Sequence, residues 1–269
     1  MNPQIGVSSW SLHRTLGRPQ FDAVTGDNGR PLTDGAVALL DLPAKVKEFG
    51  LNRLEICHFH LPSVEAGYLR SLRGALEDAG VELWSLLIDS GDITHPENGA
   101  HDAEYTAQWI DVAGELGARH ARVVAGKAKP SPENLALSRD RLKPLCARAK
   151  SRGVRVLTEN WFDLLGQPND VLWLLDALEG EMGLNLDFGN WSGESKYFDL
   201  AQISPRAESC HAKCAFFGAH QFDRDDFLAC LDIARAGGFE GTYTLIYDGP
   251  DDDEWAHLQI EREIVADYL

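Results

Sequence analysis

Eight short apolar segments that alternate with helix-like stretches constrain the fold of this chain more than any other feature. The first segment, Ile5–Trp10, and the last, Thr242–Tyr247, contain the β-branched and aromatic residues that favour strands. Between the segments, apolar residues recur at offsets of three and four, as in Leu69, Leu72 and Leu76, which indicates amphipathic helices. Strands that alternate with helices form parallel sheets, and eight such units close into a barrel.

An open, doubly wound parallel sheet is the structural alternative. Such a sheet usually carries a glycine-rich phosphate-binding loop after its first strand, whereas Ser8–His13 contains no glycine. No linker or change in composition divides the chain. We therefore predict a (β/α)8 TIM barrel formed by a single domain, residues 1–269. Residues 15–37 are polar and aperiodic, and we expect a long loop there, either functional or disordered.

The charge of the chain bears on its partners. A formal charge of −17 results from 42 acidic and 25 basic residues. The resulting field repels phosphate backbones, so nucleic acid is an unfavourable partner, and an unphosphorylated neutral or cationic ligand fits better unless a local basic pocket overrides the field.

The composition also predicts a location. The first residues form neither a basic nor an apolar segment, so we expect no signal peptide. No apolar run approaches the roughly 20 residues that cross a bilayer, so we expect no membrane association. Five cysteines, an odd number without a CxxC pair, favour a reducing, cytoplasmic location.

Three successive strand ends carry polar groups. The fifth strand ends at Glu159, the sixth at Asp187, and the seventh contains His211. Side chains alternate along a strand, so the face with these residues also carries Asn185 and Lys213, while the residues between them are small or apolar. In all three strands the polar set is therefore expected to point into the barrel, where the three endings would form one site.

Two carboxylates and one imidazole suit a divalent metal such as Mn, Co, Zn or Mg. The ion would act as a Lewis acid on a carbonyl or an enediolate oxygen. The alternative is that each polar residue only caps a loop or pairs with a neighbour, for instance Glu159 with Lys213. A zinc site with Cys210 and Cys214 is disfavoured, because both point away from His211 and no second Cys/His cluster completes tetrahedral ligation.

The order of these strand-end motifs along the chain resembles that of a known protein family. The motifs Thr158–Asn160, Leu186–Asn190 and Cys210–Lys213, at the ends of strands five, six and seven, resemble the xylose-isomerase-like TIM barrel superfamily. Within it, the chain is similar to the sugar phosphate isomerase/epimerase group, which includes ketose 3-epimerases and inosose dehydratases. The resemblance covers nearly the whole chain. Each motif is short, and their order and placement make the likeness specific.

The resemblance implies a ligand set with one departure. The family holds a divalent metal with a Glu, an Asp, a His and a second Glu, of which the first three correspond to Glu159, Asp187 and His211. At the place of the second Glu this chain has Ile246. An isoleucine cannot ligate, so we expect three protein ligands and weaker metal affinity. The two glutamates are also the acid/base pair of the epimerases, which puts two-base epimerisation in doubt. Asp248, one pleat further along, is an alternative carboxylate that would act through water.

Other residues at the same rim are candidates for substrate binding. We expect the catalytic groups to be Glu159, His211 and Lys213. Lys213 would either bind a substrate oxygen or, as we favour, hold Glu159 ionised. Glu55 would orient a substrate hydroxyl or pair with Arg53 or Lys213. The tryptophans suit stacking on a sugar ring or ordinary packing, and the histidines suit a rim site or a solvated surface. The predicted substrate-binding residues are Trp10, His13, Glu55, His58, His60, Asn160, Trp161 and Trp191.

Two functions of different class follow. The first is an isomerase, epimerase or dehydratase that acts on a small keto-sugar, polyol or inosose. The second is a sugar-binding or regulatory barrel with a degenerate metal site, which Ile246 favours. An endonuclease of the related DNA-repair branch would need further metal-binding histidines and a basic groove, and neither is visible. The long first loop would reach a neighbouring copy's site in a homodimer, which stays an open alternative.

Overall fold

The computed structural model describes residues 4–17, 37–219 and 221–269. Eight parallel strands close into a barrel, and a two-stranded antiparallel hairpin lies between the seventh and the eighth of them. In chain order the strands are Gln4–Ser8 (β1), Arg53–Cys57 (β2), Glu82–Ile88 (β3), His120–Val123 (β4), Arg155–Glu159 (β5), Met182–Asp187 (β6), Ala207–Lys213 (β7), Phe216–Gly218 (β8), Gln221–Phe222 (β9) and Thr242–Ile246 (β10). The barrel order is β1-β10-β7-β6-β5-β4-β3-β2.

A helix follows each barrel strand. The helices are Leu42–Glu48 (α1), Ala66–Ala79 (α2), Gly99–Leu116 (α3), Pro132–Ser151 (α4), Pro168–Ala177 (α5), Lys196–Ile203 (α6), Arg224–Ala236 (α7) and Glu254–Val265 (α8). The first turn of α4 is capped by a side chain. Ser131 accepts a hydrogen bond from the backbone N–H of Asn134 and Pro132 occupies the first turn of α4, an arrangement that satisfies free amide groups at the helix start.

The predicted (β/α)8 barrel is confirmed. The predicted first and last strands agree with β1 and β10 within two residues at each end, and β5 and β6 end at Glu159 and Asp187 as predicted. Helix α6 and the β8–β9 hairpin had no counterpart in the sequence analysis. Most of the predicted loop over residues 15–37, on which the homodimer alternative depends, lies outside the described residues. Within the described ranges, no helix combines the length and the apolarity that a membrane span requires.

The register of the strands brings the polar endings together. Glu159 on β5 pairs with Asn185 on β6, and Asp187 pairs with His211 on β7. On the far side of β7, Lys213 pairs with Ile246 on β10. The endings therefore lie at nearly one level of the barrel.

The opposite face of the same strands packs against the helices. Val156, Leu184, Leu186, Cys210 and Ala212 are at most 1 % exposed and belong to the main hydrophobic core. Fully burying an aliphatic side chain of this kind stabilises the fold by roughly 1.5–3 kcal/mol. The strong apolar preference of one face fixes the other, polar face toward the barrel axis, as the alternation predicted.

One carboxyl group in the core is poorly compensated. Glu261 on α8 is fully buried; its Oε1 accepts a 3.4 Å hydrogen bond from the backbone N–H of Cys214, and its Oε2 has no hydrogen-bond partner within the described part of the chain. Burial raises its pKa well above the ordinary value, and neither that N–H nor the charge of Lys213 offsets the effect. The folded protein thus holds this proton more tightly than the unfolded chain, so stability falls as the pH rises above the unfolded pKa of about 4.5.

Glu261→Gln is therefore expected to raise the free energy of unfolding at pH 7 by roughly 1–3 kcal/mol, the order of an uncompensated buried polar group. The difference should shrink toward zero near pH 4, where both states of the wild-type carboxyl are protonated. Urea unfolding at both pH values measures it. Glu263→Gln, on the exposed side of the same helix, is the control and should change little. A Glu261→Gln variant that is no more stable than wild type at pH 7 would contradict the assignment.

Candidate metal centre and substrate cavity

A cavity of about 190 Å³ opens at the carboxyl ends of the barrel strands. Active sites of this fold lie at that end. Its charged wall consists of Asp89, Arg122, Glu159, Asp187, His211 and Lys213. Its apolar wall includes Trp10, Leu87, Trp161 and Ile246.

Glu159, Asp187 and His211 converge at the floor of this cavity. One ligand atom from each lies within 4.8 Å of the others, and all three residues are buried. The Nδ1 atom of His211 is 3.5 Å from Oε2 of Glu159 and 3.4 Å from Oδ2 of Asp187. The predicted triad is thus brought together, and its oxygen and nitrogen donors suit a divalent metal ion.

The turn after β6 orients Asp187. Its Oδ1 accepts hydrogen bonds from the backbone N–H groups of Gly189 (2.6 Å) and Asn190 (2.8 Å), which leaves Oδ2 facing His211. Asn160 fixes the backbone of the same residue, since its amide donates to the Asp187 carbonyl and accepts from the Asp187 N–H. Asn160, predicted to bind substrate, is therefore placed where it holds a candidate ligand in position.

Glu159 is held by amides and by an arginine. Its Oε1 accepts a hydrogen bond from the side chain of Asn190, and its Oε2 accepts one from Asn185. The Nε atom of Arg122 is 3.2 Å from Oε2. Burial raises the pKa of Glu159 above its ordinary value despite the opposing charges of Arg122 and His211. A carboxyl group whose pKa is raised in this way is suited to move protons near neutral pH.

His211 is oriented by Glu55. The Nε2 atom of the imidazole is 2.8 Å from Oε2 of Glu55, so Nδ1 is the nitrogen that faces Glu159 and Asp187. Burial lowers the pKa of His211, but the charges of Glu55 and Glu159 outweigh burial and raise it to about 10. A metal that takes Nδ1 as a ligand must displace this proton. A carboxylate on the far nitrogen is the usual support of a metal-binding histidine. Glu55, predicted to orient a substrate hydroxyl or to pair with Arg53 or Lys213, contacts His211 from the side away from Glu159 and Asp187, and its role in substrate binding stays a prediction.

The ion pair with Glu159 that the sequence analysis favoured for Lys213 is made by a different residue, Arg122. The Nζ atom of Lys213 donates a 2.7 Å hydrogen bond to Asp248, and Arg122, not Lys213, makes the ion pair with Glu159. The register explains the difference, because Lys213 lies beside Ile246 and so within reach of the next inward residue, Asp248.

Arg122 and its partner Asp89 are cavity residues that the sequence analysis did not predict. The guanidinium of Arg122 is 5 % exposed, and Nη2 donates a 2.5 Å hydrogen bond to Asp89. The group also lies over the ring of Trp161, 5.3 Å from its centroid. Burial by itself would raise the pKa of Asp89, but Arg122 and His58 hold it well below its usual range. An arginine on a four-residue strand, at a position that faces the barrel, was the available signal.

Two of the predicted aromatic residues line the cavity, Trp10 and Trp161. Trp161 stacks on Phe162 with ring centroids 4.2 Å apart. Trp191 lies elsewhere, since its indole N–H donates to the Leu165 carbonyl. The cavity therefore has two aromatic faces that can contact the C–H groups of a carbohydrate.

The three predicted rim histidines lie outside the lining of this cavity. His13 is 3.5 Å from Glu254. His58 packs against Trp109 with ring centroids 5.0 Å apart, and Nδ1 of His60 is 2.8 Å from the Ser9 hydroxyl. Their role in substrate binding stays a prediction.

A sequence profile of the xylose isomerase-like TIM barrel matches residues 43–262. The chain belongs to this family. No curated protein matches it significantly. Among solved structures, an L-ribulose 3-epimerase is 16% identical with a TM-score of 0.72, over 98% of this chain and 93% of that one. A Mycobacterium smegmatis xylose isomerase-like TIM barrel protein, in complex with magnesium, is 17% identical with a TM-score of 0.69, over 99% and 97%. A probable 3-DHS dehydratase of Bacillus anthracis is 15% identical with a TM-score of 0.69, over 98% of each chain. At these identities the likeness is one of fold.

Ile246 is the position at which this chain departs from the ligand set that the family resemblance implies. Its side chain is 4 % exposed and forms part of the apolar wall of the cavity. The donor set therefore fits a metal ion through Glu159, Asp187 and Nδ1 of His211, with an aliphatic group where a fourth ligand is expected.

Removing Arg122 is expected to destabilise the protein strongly. Arg122→Leu leaves the Asp89 carboxylate buried without its cation, which typically costs about 3–5 kcal/mol. Asp89→Leu should cost a similar amount, and the double variant much less than the sum. The surface pair Arg148–Asp111 is the control, and Arg148→Leu should cost about 1 kcal/mol or less. Denaturant unfolding measures all four variants, and equal effects of Arg122→Leu and Arg148→Leu would refute the buried pair's importance.

Proposed function

We propose that this protein is a divalent-metal-dependent enzyme that rearranges or dehydrates a small keto-sugar, polyol or inosose. The observation that carries the proposal is the convergence of Glu159, Asp187 and His211 within 4.8 Å at the cavity floor. The sugar epimerases and the dehydratase among the structural neighbours support it. The five free, buried cysteines favour a reducing compartment, and we propose a cytoplasmic location.

The residues divide the chemistry among them. A bound divalent ion would supply Lewis-acid polarisation of a substrate carbonyl or hydroxyl. Glu159, on the cavity wall, takes a proton from the carbon next to that carbonyl. Arg122 and Lys213, both on the cavity wall, donate hydrogen bonds to substrate oxygens, and Trp10 and Trp161 enclose the C–H faces of the sugar.

The presence of one glutamate on the cavity wall favours some reactions over others. Among the described residues that line the cavity, Glu159 is the only glutamate, and Ile246 stands where the resemblance expects a second one to return a proton to the other face of the carbon. Isomerisation and dehydration can proceed with one base on one face, whereas epimerisation with inversion needs two. We therefore favour an isomerase or dehydratase over a two-base epimerase.

Proton exchange with solvent tests the proposal directly. Ketoses and inososes are incubated with the protein and Mn²⁺ in D₂O, and loss of the C–H signal next to the carbonyl is followed by NMR. We expect Mn²⁺-dependent exchange for at least one substrate, and Glu159→Gln should reduce it by about 10²-fold or more, the usual contribution of a general base. Sugar binding without any exchange in the wild-type protein would favour the regulatory barrel, the alternative that Ile246 supports.

Replacing Ile246 tests the incomplete ligand set. Ile246→Glu should tighten Mn²⁺ binding by on the order of tenfold or more, since a fourth carboxylate adds both a ligand and a charge. Ile246→Gln, of nearly the same size and uncharged, is the control and should gain far less. Isothermal titration with Mn²⁺ measures both. No Mn²⁺ binding to any of the three proteins would rule out the metal centre.

A further inference from the structure

Each cationic group on the cavity wall has its own carboxylate. Lys213 is bonded to Asp248 at 2.7 Å, and Arg122 to Asp89 at 2.5 Å. His211, the third basic group, is bonded to Glu55 at 2.8 Å. Within the described residues, no basic side chain of the wall offers a positive charge that is not already matched.

The remaining charges do not favour an anion either. Glu159 and Asp187 together carry two negative charges, which a bound divalent ion would balance without surplus. A phosphoryl group carries about −1.5 to −2 at neutral pH and needs unmatched cations to replace its hydration. The apolar wall of Trp10, Leu87, Trp161 and Ile246 supplies none.

Lys213 and its partner Asp248 are the most exposed of the described charged residues on the cavity wall and their ion-pair partners. The side chains of Lys213 and Asp248 are 29% and 25% exposed, against 6% or less for the three residues of the triad. A terminal phosphate or carboxylate of a substrate whose reacting carbon lies at the triad would extend toward this pair. Among the described basic residues of the wall, Lys213 is the most exposed and so the one placed to receive such a group, and Asp248 neutralises its charge.

We propose that Asp248 is a specificity-determining residue: by neutralising Lys213 at the cavity mouth, it makes the site select uncharged carbohydrates and reject phosphorylated or carboxylated ones. The substrate class rests on the proposed function, whereas the exclusion of anions rests on the ion pairs alone. Removal of the Asp248 charge should therefore convert Lys213 into an anion site.

The test compares the wild-type protein with Asp248→Asn, using inorganic phosphate as the probe. Isothermal titration is done at constant ionic strength without divalent metal. Wild type should show no saturable phosphate binding at millimolar concentrations. Asp248→Asn should show saturable phosphate binding. Its affinity should exceed any residual affinity of wild type by on the order of tenfold, as expected when one opposing unit charge a few ångströms away is removed. Adding Lys213→Met to Asp248→Asn should abolish the gain.

Asp226→Asn is the matched control. Asp226 neutralises Lys196 at 2.6 Å, and neither residue lines the cavity. This variant should gain no comparable phosphate site. Asp248→Ser is a second variant that frees Lys213, and thermal melts establish that both Asp248 variants are folded. Saturable phosphate binding by wild type that Lys213→Met removes, or no gain in either Asp248 variant, would overturn the proposal.

A matched sugar pair separates this proposal from the proposed function. D-ribulose and D-ribulose 5-phosphate are titrated against wild type and Asp248→Asn. A shift of preference toward the phosphorylated sugar in Asp248→Asn supports the role of Asp248. If neither sugar binds to any of the proteins but Asp248→Asn gains phosphate binding, the ketose substrate is contradicted. The role of Asp248 in neutralising Lys213 is then still supported.

Discussion

The buried imidazole of His211 compensates the negative charge of the carboxylates that surround it. It lies between Glu55 on one side and Glu159 and Asp187 on the other, all of them buried. Buried carboxylates need a cation or hydrogen-bond donors, because water cannot solvate them. In the metal-free protein the protonated imidazole is that cation, and a divalent metal would replace its proton. The same arrangement therefore compensates the buried carboxylates and presents a donor set suited to a divalent metal.

Much of this arrangement follows from local sequence. The apolar runs that end at Glu159 and Asp187 predicted the strands. The alternation of polar and apolar residues along them predicted which side chains point into the barrel. Helix α6 escaped detection because it is short and buries only Leu200 and Ile203. The β8–β9 hairpin has strands of three and two residues, too short for an alternation pattern.

The pairing of charges could not be obtained from spacing. Glu55 reaches His211 across the barrel from β2, and Lys213 takes Asp248 because of the register between β7 and β10. Arg122 was overlooked because its partners, Asp89 and Glu159, lie on the two neighbouring strands or just beyond them. Which cation meets which carboxylate depends on side-chain reach in three dimensions.

The charged groups around the cavity differ in two ways from those that the family resemblance implies. On one side of the cavity, Ile246 stands where the resemblance expects a carboxylate. On another side, Arg122, paired with Asp89, places a permanent positive charge beside Glu159. An arginine cannot deprotonate in a protein, so its charge acts on the site at every working pH. In the proposed enzyme, this combination would favour proton transfer on one face of the substrate, with a fixed positive charge beside Glu159.

The most direct measurement is anomalous diffraction at the manganese edge from crystals grown with Mn²⁺. We predict one peak within about 2.3 Å of carboxylate oxygens of Glu159 and Asp187 and of Nδ1 of His211, a distance typical of oxygen- and nitrogen-bound divalent ions. Ile246 should contact the open side of the ion's coordination sphere without ligating it. Crystals that show no peak at the triad at millimolar Mn²⁺, with His211 still bridging the carboxylates, would contradict the metal centre.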